Sequence, residues 1–127
     1  MDFQQSLITT VHDYSLGNLD AIDFNKELRQ RPTALLIPCL MEEFNRPALS
    51  LIRDTLSTLT GLSSLVIALS ADSIDDVNAA EAFFANMPFQ VQVHWTNGPA
   101  VQDVLSSMAS LGLDLTGPPG KGWAVWQ

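Results

Sequence analysis

The chain has few basic residues. Its 127 residues include 6 Lys and Arg against 14 Asp and Glu, which gives a formal net charge of −8 at pH 7. This shortage of positive charge argues against non-specific nucleic-acid binding, because such binding needs a cationic surface that displaces counterions. It argues equally against binding to an anionic membrane surface. We therefore expect neither nucleic acid nor membrane among the partners of this protein.

Disulfide chemistry and long apolar runs are missing as well. Cys39 is the single cysteine, so no disulfide can form within the chain, and we expect it to be a small packing residue at a strand end. No run reaches the roughly 18 apolar residues of a membrane-spanning helix. Residues 1–5 have neither the basic start nor the apolar run of a secretory signal. These features favour a cytoplasmic location.

The sequence does contain enough apolar material for one folded domain. Hydrophobic residues make up 46% of the chain and charged residues 16%, which is typical of a globular protein. We predict an N-terminal lead-in segment over residues 1–32 and one α/β domain over residues 33–127, because Pro32 disfavours a helix before it. His12 and Asp13 lie in the lead-in, and such an adjacent pair is more typical of a structural or exposed pair than of a site.

Three apolar segments predict strands that alternate with helices. Residues 34–38 form a continuous apolar run, ended by Pro38, which predicts an interior strand covered on both faces. Residues 65–69 predict a second strand, and the strict alternation of residues 89–95 predicts an edge strand. Strands and helices in this order favour a three-layer, Rossmann-like α/β fold with a mostly parallel sheet of order 3-2-1. That order leaves one side of the first strand free for a further strand.

The helices between these strands are predicted from helical spacing. We expect the first over residues 46–59, the second from Ser73 to about residue 86, and the third over residues 101–111, ended by Gly112. The apolar residues of the third helix are expected to lie in the core: Val101, Val104, Leu105, Met108 and Leu111.

Polar residues near the strand ends have competing explanations. Asp72, Asp75 and Asp76 follow the second strand, where they would either bind a divalent cation or cap the next helix, and we favour capping. Glu42 and Glu43 follow the first strand, where open α/β sheets bind ligands. The alternative for this pair is that they complement the dipole of the next helix. His94 falls on the polar face of the third strand and is expected to be a surface residue.

Two segments point to a specific family. The first is Pro38-Cys39-Leu40-Met41-Glu42-Glu43, and the second is Pro119-Gly120-Lys121-Gly122, which precedes a small apolar segment. In this order, with two βα units between them, they resemble the nucleotide-sugar-dependent glycosyltransferases of the GT-A fold. The resemblance is strongest to the amino-terminal part of the glucosyl-3-phosphoglycerate synthases and family-2-like glycosyltransferases, and it runs from about residue 34 to residue 127.

The chain departs from that family in two segments and lacks one motif. Met41 stands where the family usually has asparagine, and Ser70-Ala71-Asp72-Ser73 stands where relatives tend to have Asp-Ser-Gly-Ser. The family binds a divalent metal, Mg²⁺ or Mn²⁺, through an Asp-x-Asp motif after the lysine loop, and no such motif follows the loop here. The resemblance implies an amino-terminal piece of a larger enzyme. We expect the metal in that enzyme only, with no metal and no transfer activity in this chain.

The resemblance also implies a site for a UDP- or GDP-hexose. Pro38, Cys39, Leu40 and Glu42 would surround the base and ribose, through backbone groups and one carboxylate. Lys121 would lie near the base or phosphates, and Gly120 and Gly122 would allow the backbone to approach the ligand closely. The acceptor would be a small molecule such as 3-phosphoglycerate, and no catalytic residue or metal ligand is implied within the chain.

A self-contained flavodoxin-like or receiver-like binding module is the alternative. A receiver needs a lone aspartate at the end of a central strand and a lysine on a later strand, whereas Ser70 ends the second strand and Lys121 lies in a glycine loop. Residues 117–122 also lack the spacing of a Walker phosphate loop. We therefore favour the glycosyltransferase.

We also expect the chain to self-associate as a homo-oligomer. The free side of the first strand exposes unpaired backbone groups, and the apolar residues Trp123, Val125 and Trp126 follow the glycine loop.

Overall fold

A computed structural model describes residues 23–113, 115 and 120–127 of the protein. Most of the predicted lead-in, with His12 and Asp13, lies outside the described residues, as does Pro119. The described residues form the following elements: α1 (Phe24–Gln30), β1 (Ala34–Leu40), a 3-10 helix (Met41–Asn45), α2 (Pro47–Leu56), β2 (Ser64–Ser70), α3 (Ile74–Phe83), β3 (Gln90–Trp95), α4 (Pro99–Ser110) and α5 (Lys121–Trp126).

The three described strands form one parallel sheet in the order β1-β2-β3. Ala34 lies opposite Ser64, and Ser64 lies opposite Gln90. The α/β class, the parallel pairing and the order 3-2-1 are therefore confirmed. As predicted, β3 is at an edge of the sheet.

The prediction of an interior first strand is wrong for the described sheet, in which β1 is the other edge. Its residues Leu36 and Leu40 are 38% and 50% exposed, whereas Leu65 and Ile67 of the central β2 are fully buried. A continuous apolar run predicts that both faces of a strand are covered, but it carries no information about the strand's neighbours. The strand also continues past Pro38 to Leu40. An edge strand tolerates proline because one side of it makes no ladder hydrogen bonds.

Helices cover both faces of the sheet. The core cluster joins Leu65, Ile67 and Leu69 of β2 to α2 and α3, and it consists of Cys39, Leu49, Leu56, Leu65, Ile67, Leu69, Ala71, Val77, Ala80 and Phe84. On the other face, α5 contacts β1 and β2. None of the described helices is long and apolar enough to cross a lipid bilayer.

Local signals explain where α2 and α3 begin. Ser73 Oγ accepts a hydrogen bond from Asp76 N at 3.3 Å, and the Asp76 carboxylate accepts from Ser73 N at 3.1 Å. This reciprocal capping box confirms the predicted start of α3. Proline at the first position begins α2, which ends at Leu56 and is shorter than predicted.

The prediction that the apolar residues of the third helix lie in the core is wrong. None of the residues of α4, all of which are described, is buried, and Val104 and Leu111 are 58% and 79% exposed. Helical spacing identifies an apolar face, but only the packing of other segments decides whether that face is covered. Gly112 follows the helix with a φ of +85°, which confirms the predicted glycine stop.

The described end of the lead-in contacts the rest of the fold. Asn25 of α1 accepts a hydrogen bond from Gly61 N at 3.1 Å and donates to Thr58 O at 3.2 Å. A Cβ at Gly61 would collide with the backbone oxygen of Asn25, so the close approach requires glycine. The boundary between residues 32 and 33 stays a prediction.

Candidate functional site: a cleft at the carboxyl ends of the strands

An open cleft of about 830 Å³ lies at the carboxyl ends of the three strands. Ligands of open α/β sheets bind at this end, and the volume is in the usual range for small-molecule sites. The residues lining it come from the strand ends, the 3-10 helix, α2, α4 and α5: Ile37, Pro38, Cys39, Leu40, Glu43, Ala48, Leu49, Ile52, Ala68, Ser70, Thr96, Asn97, Gln102, Leu105, Gly120, Trp123 and Ala124.

The first motif contributes its strand end and one of its two acids. Pro38, Cys39 and Leu40 line the cleft, as does Glu43, whereas Glu42 lies outside the described lining. The side chain of Glu42 is 65% exposed and that of Glu43 is 36% exposed. Consecutive residues of a 3-10 helix point about 120° apart, so two adjacent acids do not face the same cleft. The sequence singled out Glu42, and the 3-10 helix brings Glu43 to the cleft instead.

Both acids lie near one arginine. Arg46 approaches Glu42 and Glu43 at 3.5 Å in each case, and its side chain is 57% exposed. Exposed pairs of this kind contribute little to stability, because water screens the charges. Arg46 therefore offsets part of the negative charge at the mouth of the cleft without fixing either carboxylate.

Cys39 is a buried packing residue. It belongs to the core cluster, and burial raises the pKa of its thiol from the usual 9.0 to about 11, with a smaller contribution from Glu43. The nucleophilic form of cysteine is the thiolate, which is scarce at neutral pH when the pKa is this high. The prediction of a packing role is confirmed.

The second motif reaches the same cleft through its glycine. Gly120 lines the cleft directly before α5, and Lys121 is the first residue of that helix. Gly122 is exposed and lies outside the described lining. The structure therefore brings Gly120 together with the Pro38–Leu40 strand end, although the two segments are far apart in the sequence.

The end of β3 adds polar groups that the sequence patterns did not single out. Thr96 is buried, and its N and Oγ1 donate to Leu69 O at 2.9 and 3.0 Å. The Asn97 amide accepts from Ala71 N at 3.0 Å and donates to Ala71 O at 2.9 Å. Trp95 Nε1 donates to the same oxygen at 2.9 Å. The available signal was their position after a parallel strand, where ligands bind.

A second missed feature fixes α5 to β3. Gln127 directly follows Trp126, the last residue of α5. Its Nε2 donates to Thr96 O at 2.9 Å, and its Oε1 lies 2.9 Å from His94 Nε2. Oε1 only accepts hydrogen bonds, so this contact forms with the His94 tautomer that has a proton on Nε2. His94 lies on the expected polar face of β3 and is half-buried beside this helix. Strand alternation identifies the polar face but does not show that a helix covers it.

The aspartates after β2 serve the helix rather than the cleft. The Asp76 carboxylate accepts from Asp72 N at 3.2 Å as well as from Ser73, which supports capping over cation binding. Within residues 23–113, 115 and 120–127, no three His, Cys, Asp or Glu side chains come together as metal ligands would. Ser70 lines the cleft at the end of the central strand, where a receiver module would need a lone aspartate.

Comparison with known proteins identifies relatives of the chain. A glucosyl-3-phosphoglycerate synthase from Methanococcoides burtonii is 35% identical over 127 residues, which cover 99% of this chain and 31% of the relative. A protein of the same name from Persephonella marina is 28% identical over 126 residues, which cover 98% of this chain and 31% of that relative.

The chain is similar to one part of a glucosyl-3-phosphoglycerate synthase. This confirms the resemblance predicted from the two motifs, and the chain spans about a third of the length of the synthases that it matches. No protein-family model and no solved structure matches the chain.

Proposed function

We propose that this chain is the nucleotide-sugar-binding part of a glycosyltransferase. The enzyme would move a hexose from a UDP- or GDP-sugar to a small acceptor such as 3-phosphoglycerate. The observation that carries the proposal is that Gly120 of the second motif lines the same cleft as Pro38, Cys39 and Leu40 of the first. The similarity to proteins named glucosyl-3-phosphoglycerate synthase supports it independently.

The charges of the cleft fit the base and ribose better than the phosphates. Among the lining residues whose side chains the structure describes, a set that does not include Lys121, Glu43 is the charged one. Its carboxylate is suited to accept hydrogen bonds from ribose hydroxyls or from a base N–H, and it repels a phosphate. The backbone of Cys39 and Leu40 supplies further donors and acceptors. The exposed Glu42 stays a proposed ribose contact from the resemblance alone.

The phosphates are proposed to lie toward the segment Gly120-Lys121-Gly122. Glycine at two of the three positions permits a close approach of the backbone, and lysine is a common phosphate-binding residue. The resemblance places the metal of the enzyme on a later strand, so the part that we propose for this chain is to bind and orient the donor. A cytoplasmic location stays a prediction.

Titration with UDP, followed by the backbone amide signals in NMR, tests this proposal. A micromolar ligand that loses about 4 kcal/mol of metal-dependent binding falls to roughly millimolar affinity. We expect weak binding that is independent of Mg²⁺, with shifts at Leu40, Glu43, Thr96 and Gly120. Shifts confined to Asp72–Asp76, or tight binding that requires Mg²⁺, would show that the site is placed wrongly.

A matched pair of lysine variants tests the second motif. We expect Lys121→Ala to weaken the UDP response about fivefold or more, because a charge-assisted hydrogen bond is lost. The control Lys26→Ala removes the same charge from exposed α1 and should leave the response nearly unchanged. Equal effects of the two variants would mean that only net charge matters.

A further inference from the structure

Trp123 is the aromatic residue in the described lining of the cleft. It is half-buried on α5 and stacks on Trp126, with ring centroids 5.1 Å apart and ring planes 21° apart. Trp126 is 60% exposed and lies outside the described lining. Trp126 therefore stacks on one face of the Trp123 indole, and Trp123 itself borders the cleft.

The indole is held in place before any ligand arrives. The helix that carries it contacts β1 and β2, and Gln127 binds its end to His94 and Thr96 with hydrogen bonds of 2.9 Å. A side chain that is already ordered costs little additional entropy on binding.

The rest of the cleft suits a flat heterocycle. Leu49, Ile52 and Leu105 supply apolar contacts, while Glu43 and Gln102 supply polar groups. A planar base needs both: an aromatic or apolar surface against its faces, and donors and acceptors along its edge. Ribose and phosphate use the polar groups alone.

We propose that the base of the nucleotide stacks on Trp123, which makes this residue a determinant of donor binding. The inference rests on the proposed function, since it names the residue that contacts one part of the proposed ligand. Stacking accepts any flat base, so the edge groups and not Trp123 distinguish uracil from guanine.

Uridine is the probe, and two leucine variants on the same helix form the test. Base–aromatic stacking is strong enough that Trp123→Leu should weaken uridine binding about tenfold. Trp123→Phe should retain most of the affinity, because a smaller ring still stacks. Trp126→Leu removes an indole outside the described lining and should change the affinity by less than about threefold. Undiminished binding by Trp123→Leu, or an equal loss in both leucine variants, would overturn the proposal.

A second measurement uses the unaltered chain and does not depend on how the variants fold. Uridine stacked on an indole should show upfield ring-current shifts of its H5 and H6 protons, with nuclear Overhauser effects to the Trp123 ring. Contacts to another part of the chain would overturn the stacking while leaving the proposed function intact. Absence of any uridine or UDP binding would overturn the proposed function, and the stacking with it. Ribose 5-phosphate, which has no base, should produce no change at Trp123.

Discussion

The side-chain amide of Asn97 pairs with both backbone groups of Ala71. Its Oδ1 accepts from Ala71 N at 3.0 Å and its Nδ2 donates to Ala71 O at 2.9 Å, as another backbone residue would in a sheet. The last paired residues of the two strands are Leu69 and Trp95. The amide therefore extends the contact between β2 and β3 by one step and holds the turn before α3 at the edge of the cleft.

Replacement of Asn97 by alanine should destabilise the fold. The variant removes both hydrogen bonds and leaves the N–H of buried Ala71 without its partner, which costs about 1–3 kcal/mol. Urea unfolding followed by circular dichroism measures the change. The control Asn78→Ala replaces an exposed asparagine on α3 and should stay within about 0.5 kcal/mol of the parent. If Asn78→Ala lost a similar amount of stability, the result would contradict a special role for the Asn97 amide.

Substitution of Gly98 should be destabilising for steric reasons. A Cβ at this position would lie 2.6 Å from Trp95 Cδ2, so the indole that donates to Ala71 O must move. We expect Gly98→Ala to lower the free energy of unfolding by about 1–3 kcal/mol, as overpacking does. At Gly122, within α5, a Cβ meets nothing within 4 Å, and Gly122→Ala should leave stability unchanged or slightly raised. Thermal unfolding of the two variants tests this prediction. Equal changes in their stability would contradict the steric argument.

The raised pKa of Cys39 predicts a pH dependence of both reactivity and stability. Since the folded pKa of about 11 exceeds the usual 9.0, the folded state holds the proton more tightly. The resulting stabilisation is fully present below about pH 9 and is lost as the pH rises toward 11. The stability of Cys39→Ala should fall less steeply over that window. Alkylation should be slow at neutral pH in the folded chain and fast in urea.

The two acids provide a control for the origin of this shift. Burial is the larger cause and Glu43 the smaller, so Glu43→Gln should speed alkylation of Cys39 only modestly. Glu42→Gln, which changes a more exposed carboxylate, should have less effect. Rapid alkylation of the unaltered folded chain at neutral pH would contradict the burial of Cys39.

Self-association remains a prediction, and the open edge of β1 suggests how to test it. Leu36 on this strand is 38% exposed, and a charge there should oppose edge-to-edge pairing. We expect light scattering to show concentration-dependent association that Leu36→Lys reduces. Leu51→Lys places the same charge at a 67% exposed position of α2 and should have little effect. A monomer at high concentration would make the prediction wrong.

Much of the fold was determined by local patterns in the sequence. Apolar runs and alternation located all three described strands, because burial of a strand face is encoded by residues close together in the chain. The cap formed by Ser73 and Asp76 was predictable for the same reason, since its partners are three residues apart. The ordered pair of motifs also identified Pro38, Cys39, Leu40 and Gly120, which line one cleft.

Contacts between distant segments decided the rest. The 3-10 helix turns Glu43 rather than Glu42 toward the cleft, and Gln127 places α5 beside His94. The exposure of Val104 on α4 likewise depends on which segments pack against that helix. Local periodicity states which face of an element is apolar or polar, whereas coverage of that face is a property of the whole chain. Only the tertiary structure therefore revealed that Asn97 joins two strand ends and that Trp123 borders the cleft.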